Sequence, residues 1–119
     1  MIRAYLLYTG EDGHSHISAG SIAEEAFVKA DHALFKETPA NSVLNWHNAP
    51  ISQYVITLSG ILEFTTQTGE TCTIYPGDVL VATDQTGTGH QWRLLNQEPW
   101  KRIYVVYQQD EDTGFIPDL

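Results

Sequence analysis

From Ser42 onward, short apolar–polar alternations are cut at close intervals by turns built on Gly and Pro, a pattern that a small β-barrel or sandwich satisfies and a helical fold does not. Val43, Asn45 and His47 share one parity, as do Gln53, Val55, Thr57 and Ser59, a run that turns at Gly60. Residues 61–66 lead into Gln67-Thr68-Gly69-Glu70, whose glycine suits the left-handed position of a hairpin loop. Pro76-Gly77-Asp78 then reverses the chain, because Pro fixes φ and Gly accepts a positive value. The continuous apolar run Val79-Leu80-Val81-Ala82 implies a strand buried on both faces. His90, Trp92 and Leu94 alternate with Gln91, Arg93 and Leu95, Asn96 to Pro99 breaks the run, and residues 101–107 form the last clear strand.

The N-terminal part is less regular. Ile2, Ala4, Leu6 and Tyr8 alternate as an entering strand, and Gly10-Glu11-Asp12-Gly13 turns it into residues 14–18. Residues 21–33 fit two patterns. Ile22, Ala26, Lys29 and Ala30 have a helical spacing, while Phe27-Val28 and Leu34-Phe35 suit strands, and we read the segment as strand. Asp110-Glu111-Asp112 reads as solvated surface that leaves Phe115 and Ile116 free to dock on a neighbour.

A chain of 119 residues suffices for one domain with a modest core. Its 42% hydrophobic content, with six Tyr, four Phe and three Trp, marks a folded protein. The formal charge of -9 repels phosphate backbones and anionic lipid, and the few Lys and Arg are scattered, so neither nucleic acid nor membrane is expected as a partner. No apolar run approaches the ~18 residues of a membrane span, and no small-residue cleavage site follows Met1-Ile2-Arg3, which together predict a cytoplasmic protein. Cys72 is the one cysteine, and between Thr71 and Thr73 it reads as a small core residue.

His47 and His90 each stand where a strand meets a turn, in Trp46-His47-Asn48-Ala49-Pro50 and in Thr86-Gly87-Thr88-Gly89-His90. Two imidazoles at one barrel mouth could hold a metal or a substrate. On parity, Gln53, Val55 and Thr57 point inward with His47, and His90, Trp92 and Leu94 do so from a facing strand. Such a cavity is aromatic and mostly apolar, and suits a small organic molecule better than a highly charged one. Trp46 and Tyr54 fall on the other parity and are expected between sheets. Asp84 either orients a histidine or caps the turn of residues 86–89, turn chemistry being the simpler reading. His14 and His16 share one face of an early strand; they belong to an exposed turn unless they swing toward the mouth. No nucleophile elbow, phosphate-cradling loop or pair of cysteine spacings for zinc occurs.

Residues 46–96 resemble the cupin superfamily. His47 matches the first His of the first cupin motif, Gln53 stands where a Glu usually stands, and Leu58-Ser59-Gly60 matches the strand end; Ala49, or Asn48 if the spacing is one longer, occupies the place of the second His. The second motif is similar to Gly69, Pro76-Gly77-Asp78 and His90, with a longer stretch between Pro76 and His90 than in most cupins. The resemblance implies an all-β, single-domain cupin-type double-stranded β-helix, or jelly-roll barrel, over residues 1–119 with its motif region at 42–107. Cupin enzymes usually hold Fe, Mn, Ni or Zn with three His and one Glu, so the resemblance implies His47, Gln53 and His90 as metal ligands. With no ligand charge, that site is expected to bind a divalent ion weakly. Gln53, Val55, Thr57, Trp92 and Leu94 are the expected ligand contacts. A metal-dependent enzyme and a metal-free small-molecule binder rank level on these residues, ahead of a structural barrel filled by its own side chains. Cupins commonly pair through sheet edges, and the apolar strand of residues 2–8 predicts a homodimer.

Overall fold

The computed structural model describes all 119 residues, and eleven strands account for every regular element. In chain order they are β1 (Ile2–Thr9), β2 (Ser15–Ile22), β3 (Ala30–Thr38), β4 (Val43–His47), β5 (Gln53–Ser59), β6 (Leu62–Thr66), β7 (Thr71–Ile74), β8 (Val79–Ala82), β9 (His90–Leu94), β10 (Trp100–Tyr107) and β11 (Phe115–Pro117). They form a seven-stranded sheet, β11-β2-β1-β8-β5-β10-β3, facing a four-stranded sheet, β4-β9-β6-β7. Only β1 and β8 run parallel; the other pairs are antiparallel. No helix is long and apolar enough to cross a membrane.

Alternation along the strands builds two cores. Leu7, Val55, Leu80 and Trp100 of the large sheet meet Leu62, Phe64, Ile74 and Trp92 of the small one. Ala4, Tyr54, Val79, Val81 and Tyr107 form a second cluster on the opposite face of the large sheet, covered in part by Ile22, Val28 and Phe115. β8 therefore sends Leu80 and Ala82 one way and Val79 and Val81 the other, which is why its sequence is apolar throughout. At the turn before it, Gly77 takes φ +94°, a value that only glycine adopts without strain, and its N–H donates to the Thr57 carbonyl at 2.8 Å. Cys72 is buried in the inner core, and burial pushes its thiol up to about 12, out of reach as a nucleophile near neutrality.

Four expectations need correction. Residues 21–33 are not one strand: β2 ends at Ile22, β3 starts at Ala30, and the chain between them turns through Glu25 at φ +60°. Phe115 and Ile116 are not free, because β11 pairs with β2 and places Phe115 against the second core. Neither Trp46 nor Tyr54 packs between the sheets: Trp46 is 42% exposed, since β4 is an edge strand of the small sheet, and Tyr54 is buried in the second cluster on the opposite face of the large sheet. β1 is not an edge at all: it pairs with both β2 and β8, and the open edge of the large sheet beyond β10 is β3.

Candidate functional site

His47 and His90 face one another across the β4–β9 pair, with ring centroids 4.4 Å apart and planes inclined at 62°. A register shift between Leu44 and His47 breaks the alternation of β4, so Leu44, rather than Val43 or Asn45, shares the cavity with His47. The turn before His90 approaches β4 so closely that a Cβ at Gly89, which has φ +90°, would lie 2.8 Å from the His47 carbonyl oxygen. Glycine is required there on both counts.

Asp84 anchors the site from behind. Its side chain has no solvent exposure; Oδ2 accepts hydrogen bonds from His90 Nδ1 at 2.7 Å and Ser15 Oγ at 2.8 Å, and Oδ1 accepts more distantly from the Ala49 N–H at 3.4 Å. Turn chemistry alone was the wrong reading of this residue; Asp84 orients a histidine. Ser15 Oγ in turn accepts from the Gly89 N–H at 2.9 Å. Asn48 holds the same turn, its Nδ2 donating to the carbonyls of Asp84 and Gly87 at 3.0 and 2.6 Å.

These partners fix the tautomers. A carboxylate and a backbone carbonyl can only accept, so His90 carries a proton on Nδ1 for Asp84 and His47 carries one on Nδ1 for the Asn45 carbonyl at 2.8 Å. Nε2 of each ring is then a lone pair in the neutral form. Burial pushes His47 below the ordinary histidine value and keeps it neutral near pH 7.

The rings line a cavity of about 530 Å³ between the sheets. Thirteen of its nineteen lining residues are apolar, and the polar six are His32, Lys36, His47, Gln53, His90 and Tyr104. The barrel is not filled by its own side chains. Of the expected contacts, Gln53, Val55 and Trp92 reach this wall. Thr57 and Leu94 do not: Thr57 lies deeper and accepts a hydrogen bond from Trp100 Nε1 at 3.1 Å, while Leu94 packs against the inner core opposite Leu62. His14 and His16 stay away from it too. His14 Nδ1 meets Thr88 Oγ1 at 3.2 Å, and His16 is held between Glu70 and Asp12.

Imidazoles tied by Nδ1 to a carboxylate and a carbonyl have the support that metal-ligating histidines share. The rest of the donor set does not fit a tightly held ion. No third His, Cys, Asp or Glu joins them in a group that could hold a metal, Gln53 offers a neutral amide, and the charge of Asp84 is already engaged by His90 and Ser15.

No protein-family model and no curated protein matches the chain. Among solved structures, an uncharacterized conserved protein with a double-stranded β-helix domain from Klebsiella pneumoniae subsp. pneumoniae MGH 78578 superimposes with a TM-score of 0.52 at 18% identity, covering 95% of this chain and 91% of that one. The fold is a double-stranded β-helix. A conserved protein of unknown function from Streptococcus pyogenes aligns at 20% identity over 69% of this chain and 79% of its own, with a TM-score of 0.43. Within the double-stranded β-helix, sequence reasoning missed Lys36, His32 and Tyr104. For Tyr104 a signal existed, since it shares parity with Trp100 and Val106 on β10.

Proposed function

We propose that this barrel binds a small, largely apolar organic molecule, with Nε2 of His47 and His90 accepting hydrogen bonds from it. One observation carries this reading: an apolar cavity of about 530 Å³ contains two adjacent imidazoles whose other nitrogens are already engaged. Gln53 adds an amide to the same wall, and Trp92 and Val55 supply apolar contact. The metal-dependent enzyme has less support, because a divalent ion would find two imidazoles and no free carboxylate.

The test uses a probe with an apolar ring and a neutral amide, 4-phenylbutyramide, followed through the fluorescence of Trp92 and Trp100 at the cavity wall. Saturable binding is expected, weakened about tenfold in His90→Phe, which keeps the ring and removes the acceptor. Undiminished binding in both His90→Phe and His47→Phe would remove the imidazoles from the site.

A further inference from the structure

Charge around the cavity is distributed against the trend of the chain, and that asymmetry bears on what the cavity holds; the inference rests on the small-molecule reading above. The chain has 15 Asp and Glu against 6 Lys and Arg, yet no acid lines the cavity and Lys36 is its one permanent cation. On β3, Lys36 lies directly across from Arg102 of β10. Like charges in opposed positions repel, and neither residue takes part in an ion pair. Glu37 offers no relief, for it falls on the other parity, across from Lys101.

Arg102 is only 3% exposed, and its donors meet neutral acceptors alone. Nε donates to the Tyr104 hydroxyl at 3.1 Å, and Nη1 donates to Thr38 Oγ1 at 2.6 Å and to the Trp100 carbonyl at 3.1 Å. The guanidinium sits 3.7 Å from the centroid of the Trp100 ring. A buried cation with no counter-ion is costly, and cation–π contact offsets only part of that cost. Trp100 and Tyr104 both line the cavity, so a bound anion there would be felt by Arg102 through one layer of side chain. Because the Tyr104 oxygen accepts from Arg102, its own O–H remains to donate to a ligand.

We infer that the cavity takes a monocarboxylate with an apolar body, its carboxylate held by the Lys36 ammonium and the Tyr104 hydroxyl at the β3–β10 edge. The body lies against Trp92 and Trp100, and a hydrogen-bond donor at its far end reaches the two imidazoles. A single charge fits and a phosphate dianion does not, since most of the wall can offer no hydrogen bond. Arg102 is a positioning residue, orienting and polarising Tyr104 from behind.

Dissociation constants for 4-(4-hydroxyphenyl)butyrate, whose phenol can donate to the imidazoles, and for its neutral amide, measured by tryptophan fluorescence at low salt, test this in wild type, Lys36→Met and Tyr104→Phe. The carboxylate is expected to bind about tenfold more tightly than the amide in wild type. Lys36→Met, an exposed position where folding is not at stake, should abolish that preference by weakening the carboxylate about tenfold and the amide much less. Tyr104→Phe, which keeps the ring, should reduce it about threefold. If the amide binds and the carboxylate binds no better, the carboxylate inference falls and the cavity reading stands. A preference that persists through both substitutions overturns the placement at Lys36 and Tyr104. If neither compound shows saturable binding, the cavity reading falls and takes the inference with it.

Discussion

Asp84 gathers donors from three separate segments, Ser15 on β2, Ala49 after β4 and His90 on β9, at a point with no solvent contact. Removing it strands at least two buried donors, each costing about 1–3 kcal/mol. Asp84→Ala should therefore lower the unfolding free energy by about 3 kcal/mol, measured in urea. Asp84→Asn should lose less, since its Oδ1 can still accept from His90 and Ser15 while its Nδ2 opposes only the more distant Ala49 N–H. An alanine variant as stable as wild type would mean that Asp84 is not what fixes His90. The same histidines decide the metal question. Protein purified without an affinity tag should carry transition metal at well below one ion per chain by elemental analysis, and His47→Ala and His90→Ala should remove even that. A full complement surviving both substitutions would place an ion elsewhere in the molecule.

At the scale of elements, β2 is tied to the β6–β7 hairpin by ionisable side chains. Glu70 in the hairpin loop accepts from the Ile17 N–H at 3.0 Å and from Thr68 Oγ1 at 2.8 Å, and it meets His16 Nδ1; His16 Nε2 meets Asp12 Oδ2 at 2.8 Å. Hydrogen bonding to Glu70, then to Asp12, raises His16 above its ordinary 6.5. Burial pulls Glu70 upward, but the bonds from Ile17, His16 and Thr68 outweigh it and hold the carboxyl below 4.5. Bonds from the His14 N–H and His16 hold Asp12 below 3.8. The raised histidine stabilises fully below pH 6.5 and loses its contribution as pH rises through its folded value. The lowered carboxyls stabilise above their ordinary values and lose their contribution as pH falls through their folded ones. The melting-temperature gap between wild type and His16→Gln should thus be widest between about pH 4.5 and 6.5 and close toward alkaline pH. A gap independent of pH would show that His16 acts through packing on Tyr8, its ring neighbour. None of this clasp was legible in sequence, because its partners are 54 positions apart in the case of His16 and Glu70. Faces were legible: parity put Gln53, Val55, Trp92 and His90 together. Depth was not, since Thr57 and Leu94 share those faces but sit farther along the barrel, and the bulge in β4 that brings in Leu44 leaves no mark in the alternation. The Gly-rich turn before His90 was visible as a turn; its packing on Ser15 and His47 depended on chain folded back from the first strands.

For the molecule as a whole, β1 is interior and cannot supply the edge on which the expected homodimer depends; β3 is an open edge of the large sheet. All of β3 but its last residue is exposed, with Leu34 at 57% and Phe35 at 73%, and its outer edge offers unpaired N–H and C=O groups along a strand of nine residues. Across the cavity mouth, the edge strand β4 exposes Val43, Leu44 and Trp46, so both sheets end in apolar side chains on the same flank. We propose that a second copy covers this flank by pairing β3 with its own β3 about a twofold axis, which satisfies the edge and buries the apolar residues at once. Each copy carries a net charge of -9, so their repulsion opposes pairing and is screened within about 8 Å at physiological ionic strength. Light scattering at micromolar concentration should therefore report a dimer that tightens as salt is added. Phe35→Asp should shift it to monomer, by adding a charge and removing the largest exposed side chain of the strand. A wild-type monomer at every salt concentration would leave β3 as a bare edge. In that case Lys36, at the margin of both the strand and the cavity, would face solvent in the working protein rather than a twofold-related neighbour.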